Sequence, residues 1–242
     1  MKVVSKRIAM LAASVGLCAG LSAFGQQLTN GQDVPVQFTG GYSTTWGNSS
    51  GDYGAGIYTG NVNGTSTGII CDDFSHDISN GETWTAQATQ ASTLANGNVA
   101  GLQFPSIQVT GYAEIATLVS MMFSGATTYG SITGITQAEL SSAIWDIGIG
   151  GTLSGLDTNA TQLVAAVEAA FNGNTTKAEA YLATLTNLWI LTPTNWTGYP
   201  NNGPQEMWVE TPEGGAALMY LLLATLFCGW AFFLRDRERV SS

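Results

Sequence analysis

Near its C-terminus the chain carries a run from Ala216 to Leu234 with no charged side chain. Roughly 20 apolar residues in a helix match a hydrocarbon layer of about 30 Å. A helix is also the open-chain way to satisfy backbone polar groups inside lipid. The run therefore predicts one transmembrane helix over 216–234. A helix-breaking hinge precedes it, Thr211-Pro212-Glu213-Gly214-Gly215, and Arg235, Arg237 and Arg239 follow it, alternating with Asp236 and Glu238. Those arginines predict that the 235–242 end stays on the cytoplasmic side. The competing reading is a buried core helix, a class that seldom runs this far without a polar face.

The other end is also apolar. Lys2, Lys6 and Arg7 lead into a run of apolar and small residues from Ile8 to Leu21, and Ala23-Phe24-Gly25 places small residues at the two positions a signal peptidase inspects. Residues 1–25 thus read as a secretory signal peptide cleaved before Gln26. A lipoprotein signal at Cys18 competes, but Leu17 is bulky for the position before the cysteine. An uncleaved anchor also competes, with an apolar core short for a span.

The order of parts from Thr211 onward, a proline-glutamate hinge, one span and a short arginine-rich tail, resembles the PEP-CTERM sorting signal of Gram-negative bacteria. Pro212-Glu213 matches the first two residues of that family's Pro-Glu-Pro hinge, and Gly214 stands where its second proline falls. The resemblance implies processing by signal peptidase and by the membrane protease-transpeptidase exosortase. It also implies a transient stay in the inner membrane, release to the cell surface or medium, and association with exopolysaccharide or biofilm.

The exported part, 26–210, is expected to be one acidic domain with its own core. Its only basic residue is Lys177, within a chain of net charge −10. Such a surface repels phosphate backbones, so nucleic acid is excluded as a partner. Gly, Ser, Thr and Asn abound, which favours strands, turns and loops. Cys71 is the one cysteine left after the signal peptide takes Cys18 and the span takes Cys228. No disulfide can then form within the domain, and Cys71 is either buried and inert, paired with another molecule, or chemically special.

Periodicity predicts an α+β fold, strand-rich, with about four helices and some seven strands. Val34-Pro35-Val36-Gln37-Phe38 reads as a short strand whose proline places it at an edge or a start. Tyr42, Tyr53 and Tyr58 among glycines predict short strands joined by glycine turns over 40–60; the rings either pack across strands or stack on carbohydrate. Gly68 to Phe74 predicts a buried strand ending in a polar cluster, and Gly81-Glu82-Thr83-Trp84 opens another. A first helix is expected from Tyr112, with Ile115, Leu118, Val119 and Met122 in one stripe, ending at Gly125. Thr136 and Glu139 form a capping-box signature for the second, which buries Leu140, Ala143, Ile144 and Ile147. A third is marked by Leu163, Val164, Val167, Ala170 and Phe171. A fourth is expected to be capped by Thr176 with Glu179 and to run through Tyr181, Leu182, Leu185 and Leu188. Glu206-Met207-Trp208-Val209 predicts a closing strand.

Asp72, Asp73, Asp77 and Glu82 offer oxygen donors for calcium, although their spacing matches no EF-hand loop; capping, turn-making and solvation explain aspartates more often. His76, the single histidine, stands near Asp73 and Cys71 in sequence, and Asp72, Asp73, His76 and Glu82 define a dispersed hydrolase site as one hypothesis. No phosphate loop, zinc helix or nucleophile elbow occurs. The expectation is a non-enzymatic protein without a cofactor or metal.

Two stretches, Ile70-Cys71-Asp72 and Leu140-Ser141-Ser142-Ala143-Ile144-Trp145, resemble the surface thioester domains of Gram-positive bacteria. In that family a cysteine after a strand bonds a glutamine shortly before Ala-Ile-Trp. The glutamine's position is Ser141 here, which has no carboxamide, and Gln137 lies one turn earlier on a similar face. The resemblance implies a shared fold without the covalent bond, and an adhesin or carbohydrate-binding protein as the alternative function. Cys-Asp-Asp-Phe and Ala-Ile-Trp-Asp stretches also resemble domains of PEP-CTERM proteins. Asn48, Asn63, Asn159, Asn174 and Asn195 head Asn-x-Ser/Thr sequences, potential glycan acceptors that an Asn- and Thr-rich chain also produces by composition.

Overall fold

The structure, a computed structural model, describes residues 28–48, 51–194 and 204–211. The signal-peptide expectation, Pro212 to Gly215 of the hinge, the 216–234 span, Arg235, Arg237 and Arg239 all lie outside the described residues. Among the described residues no helix is long and apolar enough to cross a membrane.

Strands β1 (Gln32–Asn48), β2 (Gly51–Val62), β3 (Thr65–Cys71), β4 (Thr83–Gln90), β7 (Leu188–Pro193) and β8 (Met207–Glu210) close into an antiparallel barrel in the order β1-β2-β3-β8-β7-β4. A small hairpin, β5 (Thr128–Tyr129) and β6 (Ile132–Thr133), stands apart from it. Side chains alternate between the two faces of each barrel strand. Val34, Val36, Phe38, Tyr58, Val62, Ile69, Cys71, Ala86, Ala88, Leu191, Met207 and Val209 form one core, inside the barrel. Their strand neighbours Ala55, Ile70, Ile190 and Trp208 belong to a second core, shared with the helices. The barrel wall is thus apolar on both sides where helices cover it.

The helices are α1 (Gln108–Ser124), α2 (Gln137–Gly148), α3 (Thr158–Phe171) and α4 (Thr175–Leu182). The expected stripe of α1 is buried, and Gly125 closes the helix at φ 68°. This is the left-handed conformation glycine adopts without strain. The helix starts one turn before Tyr112, at Gln108. Gly111 does not interrupt it, because a Cβ there would sit 2.7 Å from that of Ile107, so the position needs glycine's small size. The Thr136–Glu139 capping box of α2 is formed in both directions.

Four expectations are corrected. Residues 40–60 form two long strands instead of short ones. Register shifts between Phe38 and Thr44 let β1 bend at Gly40 and Gly41, both at positive φ. Pro35 is on no sheet edge, since the barrel is closed. Its carbonyl accepts from Asn63 N, so its own nitrogen points to that side too, beyond the last β1–β2 pair at Val36 and Val62, and no ladder bond is lost. The fourth helix is capped by Asn174, whose side chain accepts from Lys177 N, and it ends at Leu182. Leu188 therefore opens strand β7 and is not the last residue of a helical stripe. That strand is buried at every position, so it shows no alternation from which period could be read.

Candidate functional site

The polar cluster expected after Cys71 exists, and it is buried. β3 ends at Cys71, and the next residue, Asp72, donates its N–H to the carbonyl of Glu206 at 3.5 Å, just ahead of β8. Asp72, Asp73, His76, Gln205 and Glu206 are all buried there. Glu206 Oε1 accepts from Tyr112 Oη at 2.9 Å, and Oε2 accepts from Gln103 N at 2.9 Å and Thr192 Oγ1 at 2.5 Å. Tyr112 Oη in turn accepts from Phe104 N at 3.0 Å. Asp72 Oδ2 accepts from Trp208 Nε1 at 2.6 Å, and the Asp72 and Glu206 carboxyls lie against each other.

Two carboxyls buried side by side in a dry site resist being charged together. Burial pushes both groups up, Asp72 well above the usual carboxylate range. The negative charge of Glu206 adds to that rise, while the hydrogen bonds from Thr192, Gln103 and Tyr112 restrain the rise of Glu206.

The raised Asp72 value has a thermodynamic sign. The native state holds a proton that the unfolded chain releases near pH 4. The associated stability is complete below that pH and is lost as pH rises toward the folded-state value, with a slope of at most about 1.4 kcal/mol per pH unit for one proton. Asp72→Asn removes the titrating carboxyl and keeps an acceptor for Trp208. Its unfolding free energy is expected to fall less between pH 4 and pH 8 than that of the parent chain. Urea denaturation across that range measures the difference, and parallel curves for the two proteins would remove the Asp72 proton from the account.

Asp73 and His76 meet through Oδ2 and Nδ1. Asp73 Oδ1 accepts from Ser75 N at 2.7 Å, and Gln103 Nε2 donates to Oδ2. Gln205 Nε2 donates to the carbonyls of Asp73, at 2.9 Å, and His76. Gln103 also lines a cleft of about 430 Å³ with Ser75, Ser106, Gly148, Gly150 and Thr152, and it alone of the residues holding Asp73 and His76 in place joins Ser75 in facing that cleft.

The dispersed hydrolase set does not converge. Asp72 turns to Trp208 and Glu206, and Glu82 accepts from Ser79 N at 2.9 Å in its own turn. The same placement corrects the calcium set Asp72, Asp73, Asp77 and Glu82: among the described residues no group of three or more metal-type ligands gathers. Asp77 is exposed while Asp72 and Asp73 are enclosed.

Cys71 is a buried free thiol. Its sulfur donates to the Asp73 carbonyl at 3.1 Å and accepts from Asp73 N at 3.2 Å. Burial, then the charges of Asp73 and Asp72, push the thiol well up, so little of the reactive thiolate forms. The two stretches noted around it do meet: Trp145 Nε1 donates to the Cys71 carbonyl at 3.1 Å. Ser141 is elsewhere on α2, where its hydroxyl accepts from Gly56 N at 2.7 Å, and Gln137 bonds Ser43. Four helical residues, about 6 Å along the axis, separate Ser141 from Trp145.

Of the glycan candidates, Asn48 Nδ2 donates to the Ser154 carbonyl at 3.3 Å and Asn159 Nδ2 to Glu139 at 2.9 Å, and Asn63 Nδ2 is buried. Asn174 caps α4, and Asn195 lies outside the described residues. Tyr42 is exposed, whereas Tyr58 is buried and Tyr53 half-buried against Trp46 and Phe74. Those two rings pack across strands. Sequence reasoning missed Gln103, Thr192, Gln205 and the role of Glu206; an acidic residue directly ahead of the apolar Met207-Trp208-Val209 is the one signal that pointed to it. Compared with protein-family models, curated proteins and solved structures, the chain finds no match.

Proposed function

We propose that the chain is an exported, non-enzymatic surface or extracellular-matrix protein. In this reading the tail is a PEP-CTERM-type sorting signal read by exosortase, and the folded part associates with exopolysaccharide or biofilm. The observation that carries it is the extent of the folded unit: Gln27–Glu210 makes one compact unit, so cleavage before Gln26 and within 211–215 would leave every described strand and helix in place. The inner membrane then serves as a temporary station, with Arg235, Arg237 and Arg239 inside, before release to the surface or medium. The reading is tested by intact mass of the protein from a Gram-negative host with and without exosortase. The expected product begins at Gln26 and ends between Thr211 and Gly215 only when exosortase is active. Full-length, membrane-bound chain in cells with active exosortase would overturn it.

The contact between Trp145 and the Cys71 carbonyl favours a second reading, an adhesin or carbohydrate-binding protein with a thioester-domain-like fold that lacks the thioester glutamine.

A further inference from the structure

A second cleft, of about 480 Å³, opens between α1 and α3 on the helical side of the molecule, lined by Glu114, Ala165, Glu168, Ala169, Asn172 and Gly173. Glu114 projects from the middle of α1 and is only 9% exposed. The side chain is packed along most of its length, and its carboxyl lines the cleft. None of the described hydrogen bonds or ion pairs involves Glu114, and burial and then the like charge of Glu168 push its carboxyl up. The small side chains of Ala165, Ala169 and Gly173 leave space in front of it.

The rest of the lining carries the same sign. α3 ends at Phe171, with Asn172 in the left-handed conformation as its cap, and a helix C-terminus carries partial negative charge from unpaired carbonyls. The Glu168 carbonyl receives Asn172 N, and the Ala170 carbonyl receives Lys177 Nζ. No described backbone N–H outside the helix reaches the carbonyl of Ala169, which lies within the last turn. Two glutamates, Asn172 and the C-terminal turn of α3 thus line an accessible space, and Lys177 bonds the Ala170 carbonyl beside it. Oxygen-only donors, several of them charged and backed by water, suit hard divalent cations of the calcium class, which take 6–8 oxygens at about 2.3–2.6 Å in flexible geometry.

We propose that the α1–α3 cleft binds a calcium-class divalent cation through Glu114 and Glu168, with oxygens from the C-terminal turn of α3 and water completing the shell. Binding relieves the repulsion between the two glutamates and ties α1 to the end of α3. The site does not depend on how the tail is processed.

The test uses the full chain in non-ionic detergent with about 0.15 M salt, titrated with calcium chloride by calorimetry and followed by thermal melting. An affinity in the range of about 10⁻⁴–10⁻³ M is expected, typical of extracellular calcium sites. Glu114→Gln and Glu168→Gln are each expected to weaken it at least tenfold while melting at or above the calcium-free parent, since each removes one repelling charge. Absence of binding heat and of any rise in Tm up to about 10 mM calcium overturns the proposal. An equal calcium response in the parent chain and both variants also overturns it, since the cation then acts on the acidic surface at large.

Discussion

Replacing Glu206 by Ala is expected to cost about 3–5 kcal/mol of folding stability. One carboxylate accepts from Tyr112, Thr192 and the Gln103 backbone. Alanine leaves three donors unpaired in a dry site, and each orphaned group costs roughly 1–3 kcal/mol before the surroundings relax. Loss of one member of a buried charged set falls in the 3–5 kcal/mol range as a whole. For a domain of this size 1 kcal/mol moves Tm by about 2–4 °C, so a fall of roughly 6–20 °C is anticipated. Glu206→Gln separates polarity from volume. It keeps one acceptor oxygen but turns an N–H₂ toward donors, so a smaller loss of about 1–3 kcal/mol is expected. Melting both variants beside the parent chain checks the ordering. Equal losses would assign the effect to the carboxylate's paired acceptor oxygens, since glutamine keeps the volume, and an unchanged Tm for Glu206→Ala would mean that the network holds nothing together.

This cluster shows which parts of the molecule could be read from the sequence. Local signals were legible: the Thr136–Glu139 box, the α1 stripe ending at Gly125, and the polar segment after Cys71 all appear where spacing placed them. Each depends on residues a few positions apart. The partners of Asp72 were not legible, because Glu206 and Trp208 come from the far end of the domain and meet it only when β3 pairs with β8. Barrel closure fixes that pairing, and no local pattern encodes it. β7 was hidden for a related reason. Leu182, Leu185 and Leu188 continue a helical spacing, and a strand buried on both faces carries no alternation to contradict it. The acidic residues read as calcium ligands, Asp72, Asp73, Asp77 and Glu82, were grouped by closeness in sequence, whereas Glu114 and Glu168 face one cleft from two different helices.

The seam between α2 and the barrel offers the other large effect. Trp145 is nearly enclosed. Its ring centre lies 5.4 Å from that of Phe74 and 5.9 Å from that of Trp46, and its Nε1 donates to the Cys71 carbonyl. One turn on, Gly148 lets the helix pass so near that a Cβ would fall 2.6 Å from the Asp72 carbonyl. The helix is therefore seated on the end of β3 by one large side chain and one missing one. Trp145→Ala removes both the ring packing and the hydrogen bond, and about 3–5 kcal/mol is expected to go with them. Trp145→Phe keeps most of the ring and loses the donor, for about 1–3 kcal/mol. Cys71 supplies a local readout, because its buried sulfur reacts with a maleimide only when this end of β3 opens. If α2 is what covers it, labelling in Trp145→Ala should quicken by about the factor that its stability loss predicts, tenfold for each 1.4 kcal/mol. A lowered Tm with unchanged labelling would show that Trp145 stabilises the helical layer without guarding the thiol, and the contact with the Cys71 carbonyl would then have no part in closing the barrel's end.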